Sequence, residues 1–401
     1  MTTPQFARKQ GQLRAALKAA AARLALHFPN RAARATAAAY LQSLLSTVER
    51  KNSWQLAEAA GLANPYGFQH LLGRAQWDAE ALRDAQRQEV LAGLGQEDAV
   101  LAIDETGVIK KGHKSAGVAR QYCGACGKLD NCQVGVFLSW QTAKGHALLD
   151  RVLYLPREWT DDPERRRAAD IPEEVLFATK PELARRLVER ALEAGARPAW
   201  VVADSVYGAD AKLRFFLEER EQPYLMAVTS AQSVWVDFTQ QRVKTLAAQL
   251  PAEAWRRIAV AAGAKGPRRF DWATLPINHP YDPRHWQRWV LVRRACDDPG
   301  DLAFCLAFGP RGTTLRELAC AAGRRWAIEE AFAQGKGEVG LDQYEVRSWV
   351  GWHRHMTLAM AAHALLALTR ARLFAQTAAP RPAMAAFKKS RGLGPAVVAD
   401  S

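Results

Sequence analysis

Two short, wholly apolar runs, Val100-Leu101-Ala102-Ile103 and Trp200-Val201-Val202-Ala203, lie far apart in the chain, and each is followed by an aspartate, Asp104 and Asp204. A strand with no polar residue to turn toward water is covered on both faces, as an inner strand of an α/β sheet is. If the two strands are parallel neighbours, both aspartates project from one edge of the sheet, where open α/β sheets bind ligands. Carboxylates brought together there repel unless a cation lies between them, and hard oxygen donors select Mg²⁺ or Mn²⁺. The plainer alternative is that each aspartate closes its strand and opens a turn.

The rest of the chain divides around these runs. Residues 8–95 read as helical, with Leu13, Leu17 and Leu24 and then Tyr40, Leu41, Leu44, Leu45 and Val48 at helical spacing. Asn52-Ser53 caps a short helix that stops at Gly61, and a second follows near Phe68–Leu72. The pair has the outline of a helix-turn-helix, which either docks on DNA or simply packs in a bundle. Strands are expected at 133–140, 147–155 and 224–228, and helices at 181–194 and 209–219. Residues 230–312, with Trp235, Trp255, Trp272, Trp286 and Trp289, read as a mainly β insertion. Thr314-Leu315-Arg316-Glu317 matches a capping box that restarts helix, and a last apolar helix covers Trp349–Leu373. The expected class is α/β with a mixed sheet. The expected divisions are a helical domain at 1–97, a core at 98–229 and 313–377, the insertion at 230–312 and a disordered tail at 378–401.

Charge narrows the function. Of the 401 residues, 55 are Lys or Arg and 41 Asp or Glu, a surplus of +14. A surplus of this size points to a polyanionic partner, nucleic acid first; a solubility surplus is the alternative. No apolar run reaches the roughly 18 residues that span a bilayer, and the first residues carry no secretory apolar region, so no membrane partner and a cytoplasmic location are expected. Six cysteines in a chain of this length make no disulfide framework.

A third acid comes from Arg325-Trp326-Ala327-Ile328-Glu329-Glu330 and the downstream Lys336. At about 100° per residue, Glu329 lies about 40° round a helix from Arg325, and Lys336 about 20°. The three share one stripe, while Glu330 points away. An acid flanked by cations suits a site that handles phosphate, although an exposed salt-bridge face has the same pattern.

Asp104-Glu105-Thr106-Gly107, Val202-Ala203-Asp204-Ser205-Val206-Tyr207-Gly208 and Arg325-Trp326-x-Ile328-Glu329-Glu330 together resemble the three signature blocks of bacterial DD-E insertion-sequence transposases, of the IS4-like and IS701-like groups. In that superfamily the third block reads Tyr, two residues, Arg, three residues, Glu, six residues, Lys. Arg325, Glu329 and Lys336 fit, and Ala322 stands where the tyrosine would be, which puts that residue's DNA contact in doubt. Gly340–Trp349, Trp352–His355 and Gly127-Lys128 with Asn131–Gln133 also resemble the IS701 group, so that the likeness covers about residues 35–375. The resemblance implies an RNase H-like core interrupted by a β insertion. It implies Asp104, Asp204 and Glu329 as catalytic, Mg²⁺-binding acids (Mn²⁺ as the substitute), and excision and strand transfer of DNA by two-metal phosphoryl transfer. Its expected partners are terminal inverted repeats, target DNA and a second copy of the chain, at the bacterial nucleoid. The alternatives are an RNase H-like nuclease without strand transfer and a DNA-binding regulator derived from a transposase; intact acids at all three positions argue against the latter.

Arg325, Lys336, Lys110, Lys111, Lys114 and Arg347 are further candidates for DNA contact, with an exposed charged loop as the alternative for the lysine run. Trp286 and Trp289 are candidates for a base flipped out near the cut, with plain core as their alternative. Cys123, Cys126 and Cys132 resemble half a zinc site, with His113 as a conceivable fourth ligand, but no second pair stands nearby. No Walker-type loop is present, so no ATP requirement is expected. The charge surplus makes a direct prediction: affinity for duplex DNA, followed by fluorescence anisotropy, falls steeply as salt rises because bound cations leave the duplex. A response flat in salt would assign the surplus to solubility.

Overall fold

Val100 lies opposite Trp200, and Ile103 opposite Ala203, in a parallel pair of strands. The computed structural model in which they pair describes residues 21–263, 266–278 and 284–377, with 11, 15 and 19 ahead of them. The expected tail at 378–401, and Leu13 and Leu17, lie outside the described residues.

Chain order begins with α1 (Arg31–Leu44), α2 (Ser53–Ala59), α3 (Tyr66–Gly73) and α4 (Ala79–Leu94). Next come β1 (Val100–Ile109), β2 (Ala119–Cys123), β3 (Lys128–Thr142) and β4 (Gly145–Leu153), then α5 (Lys180–Glu193), β5 (Trp200–Ala203), α6 (Ser205–Gly208), α7 (Ala211–Glu219) and β6 (Tyr224–Val228). The hairpin β7 (Ser233–Val236) and β8 (Thr239–Arg242) precedes β9 (Arg256–Gly263), β10 (Gly266–Ile277), β11 (Trp286–Ala295) and β12 (Leu302–Pro310). The last described elements are α8 (Leu315–Arg324), α9 (Ala327–Val339) and α10 (Trp349–Thr377).

Ten strands form one mixed sheet in the order β2-β3-β1-β5-β6-β12-β11-β10-β9, with β4 also on β3. β1, β5 and β6 are parallel, and the flanking pairs are antiparallel. Strand alternation splits the two central runs between two cores. Val100, Ala102 and Val202 face one core with α8, α9 and α10, while Leu101, Ile103, Val201 and Ala203 face the other with α4, α5 and α7. Helix starts follow local chemistry. Asp78 caps α4, Thr179 caps α5 with a proline in its first turn, and Thr314 and Glu317 form the full capping box of α8.

The helices ahead of residue 98 share these cores. Tyr40, Leu44, Phe68 and Leu72 lie in one cluster with Trp352 and Met356 of α10, and Val90, Leu91 and Leu94 of α4 lie in the other. Beneath α4, the fully buried Asp150 of β4 accepts from Arg83 (2.8 Å), Arg87 (3.3 Å) and Arg190 (2.9 Å through each of two nitrogens). Burial pushes the Asp150 carboxyl pKa up, but the Arg190 and Arg83 guanidinium groups prevail and hold it below the usual range. Within residues 230–312, β12 pairs with β6, and β11, β10 and β9 extend the same sheet.

α10 carries three buried histidines. His355 bonds the Tyr40 hydroxyl (3.1 Å) and the Gly340 carbonyl (3.1 Å), and His353 bonds the Trp349 carbonyl (2.9 Å). Burial lowers their pKa values from 6.5, to about 3 for His353, about 4 for His355 and about 3 for His363. They are neutral in the folded protein. Below the unfolded value of about 6.5 the unfolded chain takes up the protons, so their stability contribution is full above that pH and falls as pH drops toward 4 and 3, by about 1.4 kcal/mol per unit and histidine. The urea midpoint is therefore expected to fall continuously between pH 6.5 and 5. A midpoint constant over that interval would show that these rings are not buried neutral.

Candidate active site

The parallel pairing of β1 with β5 stops at Ile103 and Ala203, so Asp104 and Asp204 are the next residue on each strand. Their backbones then diverge. β1 continues along β3, with Asp104 opposite Phe137, whereas the chain after Ala203 turns into α6. Asp204 caps that turn by accepting from Val206 N at 2.9 Å, and Asp104 accepts from Glu105 N at 2.8 Å. Gly208 ends α6 against β6, where any side chain would run into the Ala227 carbonyl.

The two carboxylates are poorly solvated. Burial first, and the Asp204 charge second, push the Asp104 carboxyl up to about 7. Asp204 is also raised, by burial and by the Glu105 charge. Two adjacent, desolvated carboxylates with raised pKa values lack positive charge, and their oxygens are the hard donors that a divalent cation takes. The donor set thus fits Mg²⁺ or Mn²⁺. Arg325 supplies part of the missing charge: its guanidinium stands 4.0 Å from Asp104 and 3.3 Å from Glu329. Glu329 reaches Asp104 only through this arginine, and among the described residues no three His, Cys, Asp or Glu side chains are placed to hold one ion. The stripe expected on a continuous helix is built differently. Arg325 and Trp326 form a turn between α8 and α9, yet both keep right-handed helical dihedrals, and so Arg325 still meets Glu329. Glu330 lies toward β4, where its charge acts on His146. Lys336 lines a small cavity with Thr106 and Asp342, on the Asp104 face of β1.

The remaining candidates separate by exposure. Lys111, Lys114 and Arg347 are exposed and line a groove of about 860 Å³ with Ser53 of α2 and Gln69 of α3. Lys110 lines it as well but is engaged: its ammonium donates to the Tyr344 carbonyl (2.9 Å) and sits 3.5 Å from the ring centroid, and burial lowers its pKa to about 8. Trp289 is buried in the core, and Trp286 is half-buried and stacked on Phe308 with centroids 4.8 Å apart; strand alternation places the two rings on opposite faces of β11, each against its own core. The exposed tryptophans of the described residues are Trp54 and Trp235. Cys123 and Cys126 lie 3.4 Å apart, sulfur to sulfur, and Cys132 is buried; among the described residues they form no cluster of potential metal ligands with His113.

Comparison with known families places the chain as a whole. The profile of the DDE superfamily endonucleases matches residues 23–267, and that of the transposase DDE domain matches residues 178–365. The chain is a DDE superfamily endonuclease. A probable transposase for insertion sequence element IS701, from Microchaete diplosiphon, is 29% identical to it over 304 residues, covering 75% of this chain and 74% of that protein. With the transposase profile and this relative beside the endonuclease profile, this DDE endonuclease is a DNA transposase.

Sequence reasoning missed Glu105. Its carboxylate accepts from the Lys180 ammonium (2.7 Å) and from the Tyr207 hydroxyl (2.5 Å). The signal available was its place beside Asp104 and that of Tyr207 three residues after Asp204; nothing local pointed to Lys180.

Two of the groove's three lysines, Lys110 and Lys114, are expected to behave differently. Lys110→Met loses a hydrogen bond worth about 1 kcal/mol and the ring contact, and should lower the unfolding midpoint. Lys114→Ala should leave stability within about 0.5 kcal/mol and reduce the salt slope of DNA binding by about one. Equal loss of stability in both variants would contradict the assignment.

Proposed function

We propose that this transposase cuts the DNA ends of a mobile element and joins them to a target, with Asp104, Asp204 and Glu329 as the acids that hold Mg²⁺, or Mn²⁺ in its place. The observation that carries the reading is the pair of desolvated carboxylates at the end of the β1–β5 pairing, with Arg325 bridging Asp104 to Glu329. The sheet order, with parallel β1, β5 and β6 at its centre, supports an RNase H-like core. Bound there, two such ions would activate first water and then a DNA 3′-hydroxyl for in-line attack on a phosphodiester. The protein's own share is binding and orientation. A phosphate reaching Arg325 would share its guanidinium with Asp104 and Glu329, which holds the DNA backbone beside both acids. Lys336 lies on the same face as a second phosphate partner. Lys111, Lys114 and Arg347 carry the duplex past α2 and α3, the helical part assigned to DNA docking. The substrates are terminal inverted repeats and target DNA, and two copies of the chain pair the two ends.

Incubation with element-end DNA and Mg²⁺, with cleavage and joining products mapped on a gel, tests the reading. Asp104→Asn, Asp204→Asn and Glu329→Gln each keep the side-chain shape and remove one charge. Each is expected to lower cleavage by more than about a hundredfold while DNA binding persists, a loss typical when one group acting on the transferred phosphoryl is removed. Glu330→Gln, directed toward His146, is expected to retain substantial cleavage. Near-normal cleavage by any of the first three removes that residue from the triad, and loss in Glu330→Gln alone moves the third acid by one position.

A further inference from the structure

The carboxylate pair has a third acid as neighbour. Alternation puts Asp104 on the α8–α9 face of β1 and the next residue, Glu105, on the α5–α6 face. Glu105 is mostly buried there, with 14% of its side chain exposed, and one oxygen accepts from Lys180 Nζ at 2.7 Å while the other accepts from Tyr207 OH at 2.5 Å. Each partner belongs to a different element. Lys180 is the first residue of α5, and Tyr207 is in α6, the single turn that Asp204 caps. Two features set this contact apart from an incidental ion pair. A lysine in the first turn of a helix stands at the wrong end of the macrodipole, so it is stabilised there by its partner rather than by its helix. The Tyr207 hydroxyl is fully buried and takes an anion as its acceptor, next to two other carboxylates, where a neutral acceptor would avoid the repulsion.

We infer that Glu105, held between Lys180 and Tyr207, is a positioning residue for the metal-binding pair: it ties the α6 turn carrying Asp204 to the strand carrying Asp104 so that both carboxylates serve one cation site. The inference rests on the proposed metal role of those aspartates. β1 and β5 stop pairing at Ile103 and Ala203, and beyond that point no backbone ladder fixes Asp204 relative to Asp104. The Glu105–Tyr207 bond spans this gap, and Lys180 fixes the direction of the glutamate by anchoring its other oxygen to α5.

The test is Mn²⁺ binding to the full chain without DNA, followed by water-proton relaxation, beside the thermal midpoint of the metal-free protein. Tyr207→Phe changes no charge. It is expected to weaken Mn²⁺ binding by roughly tenfold, the scale of one hydrogen bond to a charged group, with a midpoint within a few degrees of wild type. Lys180→Met is sharper, because removing a nearby cation would by charge alone tighten Mn²⁺ binding. Positioning requires that it weaken, and that Lys180→Arg restore it. Unchanged affinity in Tyr207→Phe, tighter binding in Lys180→Met, or failure of the arginine to rescue overturns the inference. If Tyr207→Phe does not fold, the Lys180 pair decides. Asp204→Asn separates the two levels. If it abolishes Mn²⁺ binding while Tyr207→Phe does not weaken it, only the positioning role falls; if it binds Mn²⁺ normally, the metal assignment falls as well.

Discussion

The parallel pairing of β1 with β5 is the constraint on which the rest of the molecule depends. Its register, Val100 to Trp200 and Ile103 to Ala203, brings Asp104 and Asp204 to one edge from opposite ends of a long connection. A slip of one residue would turn every side chain of the strand to the other face, exchange Asp104 with Glu105, and bury a carboxylate among the apolar residues under α4 and α5. Burial on both faces fixes that register, because each of the two cores accepts the apolar run but not the carboxylate that follows it. The desolvation of the aspartates follows from the same arrangement. They directly follow runs, Leu101–Ile103 and Val201–Ala203, whose side chains are wholly buried, and so they stand where water is scarce.

What could be read from the amino-acid sequence follows from how local each signal is. The central strands were legible because double-faced burial leaves an unbroken apolar run, and α8 because its capping box, Thr314 to Glu317, is contained in four residues. β2 escaped notice: with Arg120, Gln121 and Tyr122 turned partly to solvent, it has the composition of a polar loop. The joining of β12 to β6 left no trace either, since a ladder between distant segments has no period within either one. At the site, spacing alone singled out Asp104, Asp204, Arg325 and Glu329 for attention. The engagement of Lys110 with Tyr344 and of Glu105 with Lys180 depends on chain segments far away in sequence. The inward orientation of Trp289 depends on the face that β11 presents to the core, and its aromatic character gave no hint of it.

The buried carboxylate of Asp150 explains why the N-terminal helices belong to the same unit as the sheet. Arg83 and Arg87 come from α4 and Arg190 from α5, and all three converge on one residue of β4 with no exposed surface. Lifting α4 away would leave that charge buried with part of its compensation gone, a cost of roughly 3–5 kcal/mol for a broken buried pair. α10 binds the same helices from the other side through the Tyr40–His355 bond and the shared aromatic core. The groove holding Lys111, Lys114, Ser53 and Gln69 therefore has walls from two parts of the chain that are locked together, and its width is a property of the fold rather than of a linker.

The unbroken sheet also restricts how the protein accommodates a bulky substrate. β12 is laddered to β6 from Tyr224 opposite Phe308 to Val228 opposite Phe304, and β11, β10 and β9 follow in the same sheet, with one register shift at Arg268–Arg269. An insertion carried on two flexible connectors could swing aside like a lid. One sewn into the sheet cannot rotate as a rigid flap without tearing a row of backbone hydrogen bonds.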